Sequence, residues 1–394
     1  MNYQFATRMR KTPRSFIREI LKVTEDDTII SFAGGLPNPA LFPVKEIKEA
    51  AVNVLSDNGS GALQYSTTEG YPPLRRWIAD RYQRRTGLRI SPDTILITNG
   101  SQQSLDLIGK ICIDRDDPVA IERPGYLGAI QAFSLYEPIF HSVGLNPDGP
   151  NIDDLSLVID TYSPKFFYGV PNFQNPSGIT YSKEKRRQVA EILSASDTIF
   201  IEDDAYGELR FKGENHPLVT EYLPNQSIIT GSFSKIIAPG LRMGWIVAPP
   251  EFYNRLVTAK QASDLHSNYL TQQIIHKYLT DNDLDSHLFR IRDSYLRQRD
   301  TMVHAIEEYF PPEVIFTRPD GGMFIWATLP DPYSTMDLFD IAIKDHVAFV
   351  PGDPFYIGCG GSNSMRLNYS NAEDDLIIEG IRRLGNAINK LLKD

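Results

Sequence analysis

Cysteine is scarce in this chain, with only Cys112 and Cys359 among 394 residues. Two thiols make no disulfide framework, and they fit a reducing compartment. No apolar run approaches the ~18 residues that a membrane span requires, so no membrane partner is expected. Basic residues form no long run, and 40 Lys and Arg against 50 Asp and Glu leave a net charge of −10. That balance argues against a nucleic-acid surface. The seven histidines show no ligand spacing such as His-Glu-x-x-His, so no metal site is expected. No Gly-x-Gly-x-x-Gly follows a strand-like run, which removes the dinucleotide fingerprint. The stretch from Met1 to Arg14 is basic without an apolar centre, so no secretory signal is expected. Internal repeats and low-complexity segments are absent as well. What remains is a globular chain, 41% hydrophobic and 23% charged, with ample core for one large or two ordinary domains, and it is expected to be soluble and cytoplasmic.

The chain is organised around Ser232-Phe-Ser-Lys-Ile-Ile-Ala-Pro-Gly-Leu-Arg-Met-Gly244. Short hydroxyls at Ser232 and Ser234 and a guanidinium at Arg242 suit a dianion such as a phosphate. Lys235 sits among Phe233, Ile236, Ile237 and Ala238, and desolvation disfavours its ammonium form. A neutral lysine amine forms Schiff bases with aldehydes. An aldehyde that also carries a phosphate is pyridoxal phosphate. A chance Ser-x-x-Lys in a surface loop fits this stretch equally well, so the rest of the chain decides.

Elsewhere strands and helices alternate. Strand-like runs fall at Thr94–Thr98, Pro118–Glu122, Ile139–Val143, Phe166–Val170, Thr198–Glu202 and Ser227–Gly231. Helical patterns separate them, one opened by Pro72-Pro73 and closed at Gly87, another capped by Ser182. This alternation predicts a largely parallel sheet covered on both faces. Ligands of such sheets bind at the carboxyl ends of the strands. The polar clusters fall at those ends: Asn99-Gly-Ser-Gln102, the segment reaching Tyr126, Pro171-Asn-Phe-Gln-Asn-Pro-Ser-Gly178, Asp203-Asp-Ala-Tyr206 and the lysine stretch itself. The turn at Gly100 runs into a helix N-terminus, whose free N–H groups suit an anion. A long amphipathic helix over 286–309 marks a domain boundary, and strand-like and helical segments follow it. There Arg366 lies inside the apolar strand Met365–Tyr369, where an unpaired charge is costly and an anionic partner is expected.

Taken in order, Tyr65, Gly100-Ser-Gln102, Tyr126, Asn175-Pro-Ser-Gly, Asp203-Asp-Ala-Tyr206, Ser232-Phe-Ser-Lys235, Arg242 and Arg366 resemble the class I/II aminotransferases of pyridoxal-phosphate (PLP) fold type I. The opening Phe16–Leu21 and Phe32-Ala-Gly-Gly-Leu-Pro37 are most similar to the 2-aminoadipate and kynurenine-type members. The resemblance covers nearly the whole chain. It implies an α/β fold: a large domain, 51–290, with a mostly parallel seven-stranded sheet sandwiched by helices, and a smaller α+β domain from 1–50 and 291–394. It further implies that Lys235 joins the cofactor's aldehyde and then moves the substrate Cα proton. Asp203 would face the pyridine nitrogen, and Tyr206 and Asn175 the phenolic oxygen. Tyr126 would stack on the ring, and Asn175–Pro176 would be a cis bond. Gly100, Ser101, Gln102, Ser232, Ser234 and Arg242 would hold the phosphate, with Tyr65 reaching it from the second subunit of a homodimer. Arg366 would grip the substrate α-carboxylate. Arg18 would read a distal carboxylate, and Gly34-Gly35 would let that segment close. The implied reaction exchanges an amino acid's amine with a 2-oxo acid, 2-oxoglutarate, in two successive steps. Donors in keeping with the family are 2-aminoadipate or glutamate, aromatic or branched amino acids.

Competing readings are weaker. A serine acyl-enzyme would use Ser232-x-x-Lys235, but Ser56-Asp57-Asn58 precedes it and no Lys-Thr-Gly occurs. A PLP-dependent β-lyase or decarboxylase shares the cofactor motifs and is the main alternative. Relatives of the catalytic part occur fused to winged-helix regulators; this chain shows no DNA-binding extension, and no such role is expected.

Overall fold

The computed structural model describes residues 3–11, 20, 26 and 28–393. Its strands in chain order are β1 (Ile30–Ser31), β2 (Ile95–Thr98), β3 (Pro118–Arg123), β4 (Ile139–Asn146), β5 (Gly149–Pro150), β6 (Phe166–Gly169) and β7 (Ile199–Asp203). Then come β8 (Ser227–Ser232), β9 (Gly244–Val247), β10 (Ile315–Phe316), β11 (Phe324–Thr328), β12 (Val347–Ala348), β13 (Val350–Pro351) and β14 (Ser364–Asn368).

The large sheet has the order β2-β9-β8-β7-β6-β3-β4-β5. Seven of these strands make the expected sheet; β5 is a two-residue hairpin return onto β4, which Gly149 permits with φ of 132°. Pairings from β4 through β3, β6 and β7 to β8 are parallel. Strand β9, which no sequence signal announced, runs antiparallel between β8 and β2.

Alternate residues of the central strands enter two different cores, as a sheet covered on both faces requires. Val119, Ile121, Tyr168 and Ile201 join one cluster. Ala120, Phe167 and Phe200 join the other, against Leu155 and Val189 of the helices Ile152–Tyr162 and Lys183–Ser194. The helix termini use local chemistry. Ser182 accepts the Lys185 N–H, and Gly87 takes φ of 84° after the helix Pro72–Thr86.

A second sheet, β10-β11-β14-β13, is wholly antiparallel. The helix Leu284–Tyr309 leads into it, and the helix Asp374–Leu391 packs along that helix. Asp374 and Asp375 begin the final helix and Lys390 sits in its last turn, in keeping with its dipole. Strand β1 pairs in parallel with β12, Ile30 opposite Val347. That pairing leads residues 32–36 across the carboxyl ends of the large sheet.

Candidate active site

The lysine turn follows directly from β8. Phe233 buries its ring against Trp77 and Trp245, and its N–H donates to the Met243 carbonyl at 3.0 Å. Ser232 Oγ accepts the Ser234 N–H at 3.1 Å. With Ile236 and Ile237 also buried, the turn is anchored on both sides of Lys235. Its side chain enters a cavity of about 290 Å³. There Nζ donates to the Gly35 carbonyl at 2.7 Å. Burial, and then the charges of Arg366 and Arg242, bring the amine down to about 8, so at pH 7 about a tenth of it is the nucleophilic free amine.

The anion end is assembled by three segments. β2 runs into Asn99-Gly100, where φ of 81° at Gly100 swings the chain into the helix Ser101–Cys112. Because β9 is antiparallel, its first residues lie beside the last of β8: Gly244 pairs with Ser232. Arg242, just ahead of β9 with φ of 49°, is thereby brought to the start of that helix. The approach leaves no room for side chains. A Cβ on Gly244 would stand 2.8 Å from the Gly100 carbonyl carbon and 2.9 Å from the Ser101 nitrogen. One on Gly100 would stand 2.7 Å from Arg242 Nη2. Ser101, Gln102, Ser232, Ser234 and Arg242 all line the cavity.

Asp203 closes β7 and is buried. Tyr168 on the adjacent β6 donates to its Oδ2 at 2.6 Å, and the Ala205 N–H approaches Oδ1 at 3.3 Å. Among the described residues no cation forms an ion pair with it. Burial therefore raises this carboxyl to about 6, against the lowering effect of its hydrogen bonds to Tyr168 and Ala205.

Arg366 reaches the cavity from β14. Nη1 donates to Asn175 Oδ1 at 2.8 Å and Nη2 to the Ala33 carbonyl at 2.7 Å, while the buried Nε has no partner. Its guanidinium lies 4.5 Å from the Phe324 ring centre and 5.3 Å from that of Phe355. Those faces soften its desolvation, which still lowers it to about 10. Asn175 Nδ2 donates to the Tyr206 hydroxyl at 3.3 Å. Tyr126 caps the helix Leu127–Ser134, and burial pushes its hydroxyl up to about 12. Asn175–Pro176 is cis.

These features fit pyridoxal phosphate. A buried carboxylate without a cation matches a protonated ring nitrogen. The helix start, two serines and Arg242 match a phosphate dianion. The lysine amine matches the aldehyde. A guanidinium that is buried with one donor unpaired and no carboxylate among the described residues calls for an outside anion.

Of the residues predicted from sequence, Gly35, Ser101, Gln102, Tyr126, Asn175, Asp203, Tyr206, Ser232, Ser234, Lys235, Arg242 and Arg366 line this one cavity. Gly100 lies behind it, under Arg242. Tyr65 does not line it: the side chain is 77% exposed and meets His266 edge-on. Arg18 lies outside the described residues. Sequence reasoning missed Val170, Ala205 and Pro239 in the lining. It also missed Tyr168 behind Asp203 and the phenyl rings flanking Arg366. Val170 and Ala205 sit beside predicted cluster residues, so strand ends were the usable signal; Tyr168, inside an apolar strand, offered none.

The model of the family "Aminotransferase class I and II" matches residues 29–384. The 2-aminoadipate transaminase of Thermus thermophilus is 44% identical over 382 residues, covering 96% of this chain and 94% of that protein. Aromatic-amino-acid aminotransferase 1 of Thermococcus litoralis is 42% identical, covering 96% and 92%. The crystal structure of the α-aminoadipate aminotransferase of Thermus thermophilus, complexed with N-(5′-phosphopyridoxyl)-L-leucine, superposes with a TM-score of 0.92 at 42% identity, covering 99% of this chain and 98% of that one. The lysine, carboxylate and arginine that meet in one cavity, on a fold and sequence shared with these proteins, place the chain in the class I and II aminotransferases, enzymes whose cofactor is pyridoxal 5′-phosphate.

Proposed function

We propose that this aminotransferase exchanges the amine of an amino acid for the oxo group of a 2-oxo acid, 2-oxoglutarate, in two successive half-reactions of ping-pong type. The observation that carries the proposal is the meeting of the Lys235 amine, the Asp203 carboxyl and the Arg366 fork in one cavity of about 290 Å³. When bound, the cofactor supplies an aldehyde and an electron-withdrawing ring. Asp203 would favour the protonated, positively charged form of the cofactor's ring nitrogen. Asn175 and Tyr206 would hold its phenolic oxygen, Tyr126 would lie along its ring, and Ser101, Gln102, Ser232, Ser234 and Arg242 would hold its phosphate. Arg366 takes the substrate α-carboxylate bidentately and so orients the Cα–H bond. Lys235 would take the proton from the substrate Cα and deliver it, across the amine nitrogen, to the carbon that had been the cofactor's aldehyde, an effect worth about 10²–10⁴-fold.

The relatives' names favour 2-aminoadipate and aromatic amino acids as donors, with glutamate-like and branched ones in the same range. Arg18 is proposed to read a distal carboxylate. We also propose a cytoplasmic homodimer with a large domain at 51–290 and a small one from 1–50 and 291–394. The exposed Tyr65, which does not line its own chain's cavity, would complete the partner's phosphate site. The test is spectroscopic. Holoenzyme given an amino donor should lose its visible cofactor band and regain it with 2-oxoglutarate, and Lys235→Ala should abolish turnover. Retained turnover in that variant would overturn the reading.

A further inference from the structure

Asn175 stands on the segment joining β6 to the helix Lys183–Ser194, and its neighbour Gln174 is completely buried without lining the cavity. The Gln174 amide spends its whole hydrogen-bonding capacity. Nε2 donates to Glu122 Oε2 at 3.0 Å and to the Pro124 carbonyl at 2.7 Å. Oε1 accepts from the Ser177 N–H at 2.8 Å and from Ser177 Oγ at 2.6 Å. With two donors and two acceptors all used, its orientation is single-valued. Glu122, at the end of β3 and 1% exposed, gathers the segment with its other oxygen. Its Oε1 accepts the Val170 N–H at 3.0 Å and the Tyr181 hydroxyl. One carboxylate thus ties the root, the middle and the far end of the segment. The opposite side is tied by Asn172, which donates to Asp204 Oδ1 at 2.8 Å and accepts from Arg186 at 2.7 Å. The element so held presents Asn175 to both the Arg366 fork and the Tyr206 hydroxyl.

We propose that Gln174 and Glu122 are positioning residues for the reaction, a buried clamp that fixes Asn175 and through it the Arg366 fork that receives the carboxylate. This rests on the reading of Arg366 given above. A fully satisfied polar network in a low-dielectric interior holds a single geometry, whereas a partly satisfied one does not. If the clamp opens, Arg366 Nη1 loses a fixed acceptor, and the fork is aimed less well at a ligand.

The geometry supplies a narrow perturbation. In Glu122→Gln the retained oxygen can still accept from Val170 and Tyr181, while the new amide faces the Gln174 amide, donor against donor. The probe is glutarate, a dicarboxylate that cannot react, titrated into holoenzyme and followed by the cofactor's visible band. Glu122→Gln and Gln174→Leu should each weaken glutarate about 10-fold, the order expected for one lost fixed contact. The double variant should be no worse than the poorer single, because the two act as a unit. Inorganic phosphate binding to the apoprotein, at the other end of the cavity, should stay within about twofold. Should either variant fail to fold, Ser177→Ala removes one donor from Gln174 Oε1 and should weaken glutarate by a smaller factor. Unchanged glutarate affinity, additive losses, or a parallel fall in phosphate binding would overturn the clamp. Arg366→Lys separates the two ideas. If it leaves glutarate binding intact, the carboxylate assignment itself fails; if it weakens binding while the clamp variants do not, only the clamp fails.

Discussion

Asp203→Asn should make the cofactor-free protein more stable and the loaded enzyme far less active. The carboxyl is buried with hydrogen-bond donors but no ion-paired cation among the described residues, and burial lifts it from 3.8 to about 6. The unfolded chain ionises this group near 3.8, so between about 4 and 6 the native state binds the extra proton. Its stabilising contribution is present below that window and is lost as pH rises through about 6. At about 1.4 kcal/mol per tenfold change in proton affinity, ionised Asp203 costs the apoprotein about 3 kcal/mol as a ceiling. Asparagine avoids that cost. Its oxygen can keep the Ala205 N–H, and its amide can donate to the Tyr168 hydroxyl. After allowance for an imperfect fit, a net gain of about 1–2 kcal/mol at pH 8 is expected. Urea unfolding of both apoproteins at pH 8 and pH 4.5 measures it, and the gap should narrow at the lower pH. With cofactor loaded, the ring cation compensates the carboxylate, so the wild type should gain more stability on loading than the variant. If the wild-type apoprotein is at least as stable at pH 8, or if the gap is independent of pH, the reasoning about Asp203 is wrong.

Three further outcomes are expected. Labelling of Lys235 in the apoprotein by an amine-acylating reagent, read by mass spectrometry, should rise with pH around a midpoint near 8, and Arg242→Ala should move that midpoint upward by removing a positive charge; a midpoint near that of an ordinary lysine would contradict the site's electrostatics. Gly244→Ala should cost about 1–3 kcal/mol and weaken cofactor loading, because the new methyl group meets the Gly100 and Ser101 backbone; unaltered loading by spectral titration would count against the cradle. Mixing the inactive variants Tyr65→Ala and Lys235→Ala under exchanging conditions should restore activity at up to about a quarter of the sites, one intact site per mixed dimer; no recovery would refute sharing of Tyr65 between subunits.

What the amino-acid order determined by itself was local. The helix starts at Pro72 and Ser182 and the stop at Gly87 were legible because each depends on a few neighbouring backbone groups. The alternation of apolar runs implied a parallel sheet, and polar clusters after each run marked its carboxyl edge, so the lysine and the acid could be assigned to one site, which Arg366 joined only through the family resemblance. The tertiary structure alone decided the rest. Nothing in Gly244–Val247 states that the strand runs antiparallel, yet that direction is what brings Arg242 to the Ser101 helix. The bond from Tyr168 to Asp203 depends on the register of two strands 35 residues apart, and that from Arg366 to Asn175 spans 191 residues. Gln174 and Glu122 looked like ordinary polar residues in a loop and at a strand end. Only burial turns them into a satisfied network, because the cost of leaving a donor unpaired arises once water has been excluded.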